Sequence, residues 1–218
     1  MTHKPIVLAI TGASGAVYAT RLLDALLQAD RDVHLVISEA GAAVCNQELG
    51  VPLRLDGSNL DSLLQASNQL LGAGAGPSID RERLHIHHPK DYFTPIASGS
   101  FLTAGMVICP CSGSTLSGIA RSATSNLIQR AAEVHLKEHR KLIVVPRETP
   151  LSTFQLENMH RLSQAGVVVL PAAPGWYHGV TGLLDLVDFV VARILDQLGI
   201  ENQRINRWAS EEPATTCD

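Results

Sequence analysis

The residues Thr11-Gly12-Ala13-Ser14-Gly15 follow an apolar run, Ile6–Ile10, and open a helical pattern. Gly12 and Gly15 let backbone amides approach an anion closely, and Ser14 adds a hydroxyl at a helix N-terminus. The chemistry this suggests is phosphate binding. The dinucleotide fingerprint is G-x-G-x-x-G with an acid after the second strand to hold a ribose diol. Here the loop is G-x-x-G and Ser38 stands where that acid belongs. A serine can donate to a phosphate that a carboxylate would repel, so the pattern fits a monophosphate better than a nicotinamide dinucleotide. A second run, Ser112-Gly113-Ser114-Thr115, also opens a helical pattern with small and hydroxyl residues.

Cations and carboxylates complete the candidate set. Arg130 and Lys137 are seven apart on one helical pattern and so share a face. Arg147 ends a strand-like run and Glu148 follows it; either the two form a plain surface pair or Glu148 moves a proton. Arg193 lies within "FVVARIL", whose apolar neighbours predict a core position and hence a paired, functional charge. Glu48 closes the helical pattern "GAAVCNQELG" and reads by itself as a surface charge. His85, His87 and His88 cluster without a carboxylate or cysteine in register, which argues against a metal. Ser14 lacks the G-x-S-x-G elbow and a His–Asp partner, so it is not read as a hydrolase nucleophile.

These residues need elements to hold them. Ile6–Ile10, Val33–Ile37, Met106–Cys109, Leu142–Val145 and Val167–Leu170 are nearly all apolar, as in strands buried on both faces of a parallel sheet. Helical patterns alternate with them: Ala16–Ala29, Leu127–His139, Thr153–Gln164 and Leu183–Leu198, with a shorter one over Leu60–Leu71. The expectation is a single-domain α/β fold, doubly wound, with a mainly parallel sheet flanked by helices in the Rossmann manner. In such folds ligands bind beyond the carboxyl ends of the strands. The loops singled out above follow strands, and the fifth run leads into Pro171–Tyr177 with its Trp176-Tyr177 pair. The domain is expected over residues 1–208. The Gly-rich stretch 72–77 reads as a flexible link and 209–218 as a flexible tail.

Composition narrows the classes. The 218 residues carry a formal net charge of -4, which gives no reason to expect a nucleic-acid partner. No apolar run approaches the roughly 20 residues of a membrane helix, and no leader segment stands out. Four cysteines without a paired framework point to a reducing cytoplasm.

In order along the chain, "TGASGA" (Thr11–Ala16), "IASGS" (Ile96–Ser100), "ICPCSGSTLS" (Ile108–Ser117), "NLIQRAAEVHLKEHRKLIVVPRETP" (Asn126–Pro150), "LENM" (Leu156–Met159), "LPAAPGWYH" (Leu170–His178), "DLVDFVVARILDQLGI" (Asp185–Ile200) and Arg207-Trp208 resemble the flavin prenyltransferases of the UbiX type. The resemblance implies an FMN-binding enzyme that transfers a dimethylallyl group from dimethylallyl monophosphate to N5 and C6 of reduced FMN. The product, prenylated FMN, serves a UbiD-type decarboxylase, with ubiquinone biosynthesis as the pathway indicated. It also implies no metal and a homo-oligomer, often a dodecamer, with sites between subunits. Carried over by motif, FMN would meet Gly12, Ala13, Ser14, Ser38, Ser112, Gly113, Ser114, Thr115 and Arg147. The prenyl donor would meet Ser98, Gly99, Arg130, Lys137, Tyr177 and Arg193, with Trp208 walling the prenyl pocket. Ser14, Glu48, Lys137 and Glu148 would be catalytic, Glu48 acting on a neighbouring subunit. The chain departs from the pattern in "CSGST" and in Glu133, where aspartate is commoner. Two other readings share the loops: an FMN-dependent decarboxylase of the peptidyl- or phosphopantothenoyl-cysteine type, and a flavin-binding or delivery protein without catalysis. The first calls for an early histidine and a "PASANT"-like loop, and neither is found.

Overall fold

A computed structural model describes residues 3–74 and 80–207. Six strands form one all-parallel sheet: β1 (Ile6–Ile10), β2 (Val33–Ile37), β3 (Leu84–His87), β4 (Gly105–Cys111), β5 (Leu142–Pro146) and β6 (Val168–Val169). Their order is β3-β2-β1-β4-β5-β6, which reverses direction between β1 and β4. β1, β2, β4 and β5 are buried along their whole length, which explains why they are nearly all apolar.

Helices cover both faces. On one lie α1 (Ala16–Gln28), α2 (Glu39–Leu49), α3 (Leu60–Leu71) and α7 (Leu183–Leu198). On the other lie α4 (Gly113–Ala120), α5 (Leu127–Lys137) and α6 (Thr153–Gln164). Alternate strand residues divide between these two cores, with Ile6, Leu8 and Ile10 facing the first, and Val7 and Ala9 the second. α1 shows the logic locally. Ala19, Leu22, Leu23 and Leu26 recur at helical spacing and are fully buried.

The structure extends two expected strands and shortens another. β4 continues past Cys109 to Cys111, carrying Pro110 at a register shift between Ile108 and Cys111, where a residue without an N–H can be accommodated. β6 is only Val168–Val169. The histidine segment proves to be edge strand β3. Part of the Gly-rich link, Trp208 and the expected tail lie outside the described residues.

Candidate functional site

The carboxyl ends of β1 and β4 meet at the sheet's switch point, and Thr11 joins them. Its buried hydroxyl donates to the Pro110 carbonyl at 2.7 Å and accepts from the Ser112 amide at 2.8 Å. This fixes the first loop against the Ser112–Thr115 run. Only a small hydroxyl residue spans both, a role that sequence spacing did not single out. Ser112 caps α4: its Oγ accepts from the Thr115 amide and lies 3.2 Å from Ser114 Oγ and 3.0 Å from Thr115 Oγ1. Ser38 caps α2 by accepting from the Gly41 amide at 2.9 Å. The expected contacts Ser14, Ser38, Ser112, Gly113, Ser114 and Thr115 therefore gather on one rim. Ser14, Ser38, Ser112 and Gly113 are part-exposed, Ser114 is exposed, and Thr115 is buried beneath them.

Close approach explains the small residues beside the rim. A Cβ on Gly12 would lie 2.6 Å from that of Ala40, and one on Gly41 would lie 2.7 Å from the Ile10 carbonyl oxygen. Gly15 takes a left-handed φ of 112° at the start of α1. Arg147 donates from Nε to the Ser14 carbonyl at 3.2 Å, so it braces the first loop and does not pair with Glu148. Tyr18 flanks this guanidinium, and burial raises its phenol pKa above the ordinary value. Glu148 is exposed and receives a long contact, 3.5 Å, from Gln155 Nε2. Gln155 belongs to the Ser152–Gln155 capping box of α6 and also lies beside Gly113. The S-x-x-Q spacing was a readable signal for this positioning contact.

Two expectations need correction. Glu48 is no free surface charge. Its carboxylate accepts from the Gly15 amide at 3.0 Å and the Ala16 amide at 2.7 Å. It thus caps α1 from its own chain, where Gly15 supplies no side chain to do so. The α1 amides expected to cradle a phosphate already hold this anion. Glu48→Ala is expected to destabilise the fold by about 1–2 kcal/mol, the usual worth of an N-terminal cap with a favourable charge. Urea denaturation would show it as an earlier midpoint at constant slope, and an unshifted midpoint would contradict the assignment.

Arg193 is not a core charge. It faces solvent with its side chain 47% exposed and pairs with Asp196 at 2.9 Å. Val190, Val191, Ile194 and Leu195 carry the buried face of α7, and Arg193 falls on the opposite side of the helical wheel. Tyr177, also exposed, packs edge-on against Phe189, one turn before Arg193.

Ser98, Gly99, Arg130 and Lys137 do come together. Arg130 donates to the Ala97 carbonyl at 3.1 Å and pairs with Glu133 at 3.0 Å. Lys137 pairs with Glu138 directly against Gly99, where a Cβ would strike both charged groups. Arg140 donates to the Phe101 carbonyl at 2.7 Å and to the Gly99 carbonyl. α5 thus clamps the segment 97–101 along its length. Ser98 Oγ sits 2.9 Å from Ser100 Oγ.

The Lys137 end of this basic cluster is not beside the rim in its own chain. Lys137 and Arg140 directly precede β5, and the Lys141 carbonyl bonds the Met106 amide at the start of β4. They therefore lie near the amino ends of strands whose carboxyl ends hold the rim. A five-residue strand separates those ends by about 16 Å. Arg193 lies toward the amino ends too, since Leu198 packs beside Gly105, but on the opposite face of the sheet.

The residues at the rim fit a flavin mononucleotide: small side chains, hydroxyls at two helix starts, one arginine, and a serine where a ribose acid would stand. Among the described residues no group of His, Cys, Asp and Glu could hold a metal ion. Among the described residues no helix is long and apolar enough to cross a membrane.

Comparison with known proteins agrees with this geometry. The Flavoprotein family model matches residues 1–195. A flavin prenyltransferase UbiX from Pseudomonas aeruginosa is 48% identical over 94% of both chains. One from Halalkalibacterium halodurans is 47% identical over 93% of this chain and 92% of its own. The crystal structure of AnUbiX in complex with FMN and dimethylallyl pyrophosphate is 34% identical, with a TM-score of 0.79 over 96% of this chain and 100% of that one. A dodecameric FMN-dependent UbiX-like decarboxylase from Escherichia coli O157:H7 is 38% identical, with a TM-score of 0.77 over 94% and 98%. Full-length similarity at this level places the chain in the UbiX flavin prenyltransferase family, within the wider Flavoprotein family.

Proposed function

We propose that the chain transfers a dimethylallyl group from dimethylallyl monophosphate to reduced FMN, making prenylated FMN for a UbiD-type decarboxylase in the cytoplasm. The observation that carries this reading is the pairing, within a UbiX-family chain, of a hydroxyl-lined rim at the switch point with a separate basic cluster on 97–101 and α5.

Gly12, Ala13, Ser14, Ser38, Ser112, Gly113, Ser114, Thr115 and Arg147 hold FMN at the rim. Reduced flavin supplies the nucleophilic N5 and C6. Ser98, Gly99, Arg130, Lys137 and Arg193 receive the donor phosphate, and their positive charge stabilises it as the allylic C–O bond breaks, as a metal would for a diphosphate. Tyr177, with Trp208 from beyond the described residues, walls the allyl group, excludes water and offers π-faces to developing positive charge. The exposed Glu148 carboxylate takes up the proton released at ring closure. The Ser14 hydroxyl orients the acceptor. Glu48 acts at the α1 terminus.

Because the rim and Lys137 lie at opposite ends of the strands, one chain does not bring them to the same ligand. The site is therefore completed by neighbouring copies. Exposed Tyr92, Phe93, Leu102, Phe154 and Trp176 supply apolar surface for such contacts. A homo-oligomer follows, of which a dodecamer is the form proposed.

The direct test is mass spectrometry of the flavin after anaerobic incubation with FMN, a reductant and dimethylallyl monophosphate. A flavin heavier by one C5H8 unit is expected. An unchanged flavin from protein that binds FMN would overturn the reading in favour of a delivery protein.

A further inference from the structure

Three cations assigned to the donor phosphate already hold carboxylates of their own chain. Arg130 holds Glu133, Lys137 holds Glu138, and Arg193 holds Asp196. The donor phosphate thus enters a site whose charges are provisionally neutralised. Glu138 is the most telling of the three. It caps the C-terminus of α5, where the helix dipole disfavours an anion, so the neighbouring cations keep it there. Its second oxygen lies 3.8 Å from Arg140, whose side chain is 13% exposed and whose guanidinium is fixed by the Gly99 and Phe101 carbonyls. When Lys137 turns to another anion, Glu138 keeps a cation beside it. Gly99 is what makes room, since any side chain there would displace the Lys137–Glu138 pair.

Resting on the function proposed above, we infer that Glu138 is a resident anion of the donor-phosphate site. It yields Lys137 to the incoming phosphate, retreats to Arg140, and takes Lys137 back as the phosphate product leaves. The exchange makes no new unpaired charge at either stage. It weakens phosphate binding enough for release, and it presents bare inorganic phosphate with a standing competitor. A part-exposed ion pair has a modest effect, so the competition amounts to about three- to fivefold in affinity.

The experiment uses the FMN-loaded full chain and inorganic phosphate as the probe, followed by calorimetric titration and, separately, as a product inhibitor. Glu138→Gln is expected to tighten phosphate binding about three- to fivefold and to lower its inhibition constant by the same factor. Glu82→Gln, which removes a charge far from α5, should change neither. In the Lys137→Ala background, Glu138→Gln should produce no further tightening, because the shared partner is gone. Equal phosphate affinity in Glu138→Gln and the parent, or equal tightening in Glu82→Gln, would overturn the inference. Phosphate affinity is read without any prenyl transfer. An unprenylated flavin with a responsive phosphate site would sink the proposed function alone.

Discussion

Lys137→Ala should slow prenyl transfer roughly 100- to 1,000-fold, the usual cost of removing a charge that stabilises a leaving group. FMN affinity should stay unchanged. Lys137 sits near the amino ends of the strands, and the rim that holds FMN lies beyond their carboxyl ends. Arg147→Ala should do the reverse, weakening FMN retention by freeing the Ser14 loop that its guanidinium braces. The two variants then allow a sharper experiment. If each site takes its rim from one copy and its basic cluster from another, oligomers reassembled from equal parts of the two impaired proteins, assayed at an FMN concentration that leaves Arg147→Ala unloaded, regain activity. About one quarter of the sites in a randomly mixed symmetric assembly would be drawn wholly from intact halves. Activity that stays at the level of the separate variants would mean that one chain supplies both halves, contradicting the strand-length separation.

That separation marks how far the sequence could be read. The sheet was legible because β1, β2, β4 and β5 are buried on both faces and so are nearly all apolar, with His34 on β2 the exception. Strand β3 was harder to place, since an edge strand is half-buried and its His85 and His87 break the apolar signal. The rim was legible because Ser38 and Ser112 are local caps, visible as serines at helix starts. The cap on α1 was not, because Glu48 arrives from 32 residues away and nothing at Gly15 announces it. Arg193 misled for a related reason. One arginine amid apolar residues looks buried in a linear reading, yet on a wheel of 3.6 residues per turn it falls on the open side. Motif resemblance brought Lys137 and Gly99 into one list with the rim, but only the sheet direction shows that they occupy its other end.

An imidazole cluster, in which buried His34 meets His85 and His87, carries the second large expectation. His34 on β2 is 6% exposed. Its Nδ1 lies 2.8 Å from His87 Nε2, its ring sits 4.7 Å from that of His85, and Phe101 meets it edge-on at 5.0 Å. Burial, and then the neighbouring imidazoles His87 and His85, lower its pKa from 6.5 to about 4. His87 shifts the same way, chiefly by burial, with Asp91 opposing. Between pH 6.5 and 4 the unfolded chain therefore binds the proton that folded His34 refuses, so stability rises with pH across this window. It is fully present above 6.5 and is lost as pH falls toward 4, by about 3 kcal/mol for a shift of this size. His34→Gln removes the titrating group while keeping a polar side chain beside His87. Denaturation midpoints measured from pH 7 down to 4 should fall steeply for the parent and much less for the variant, whatever their absolute stabilities. Parallel curves would show that acid acts elsewhere. Because Phe101 closes the imidazole cluster and belongs to the segment clamped by α5, its contacts should loosen first. Amide protection factors at residues 97–101, corrected for the intrinsic pH dependence of exchange, ought then to fall on acidification before the sheet as a whole gives way.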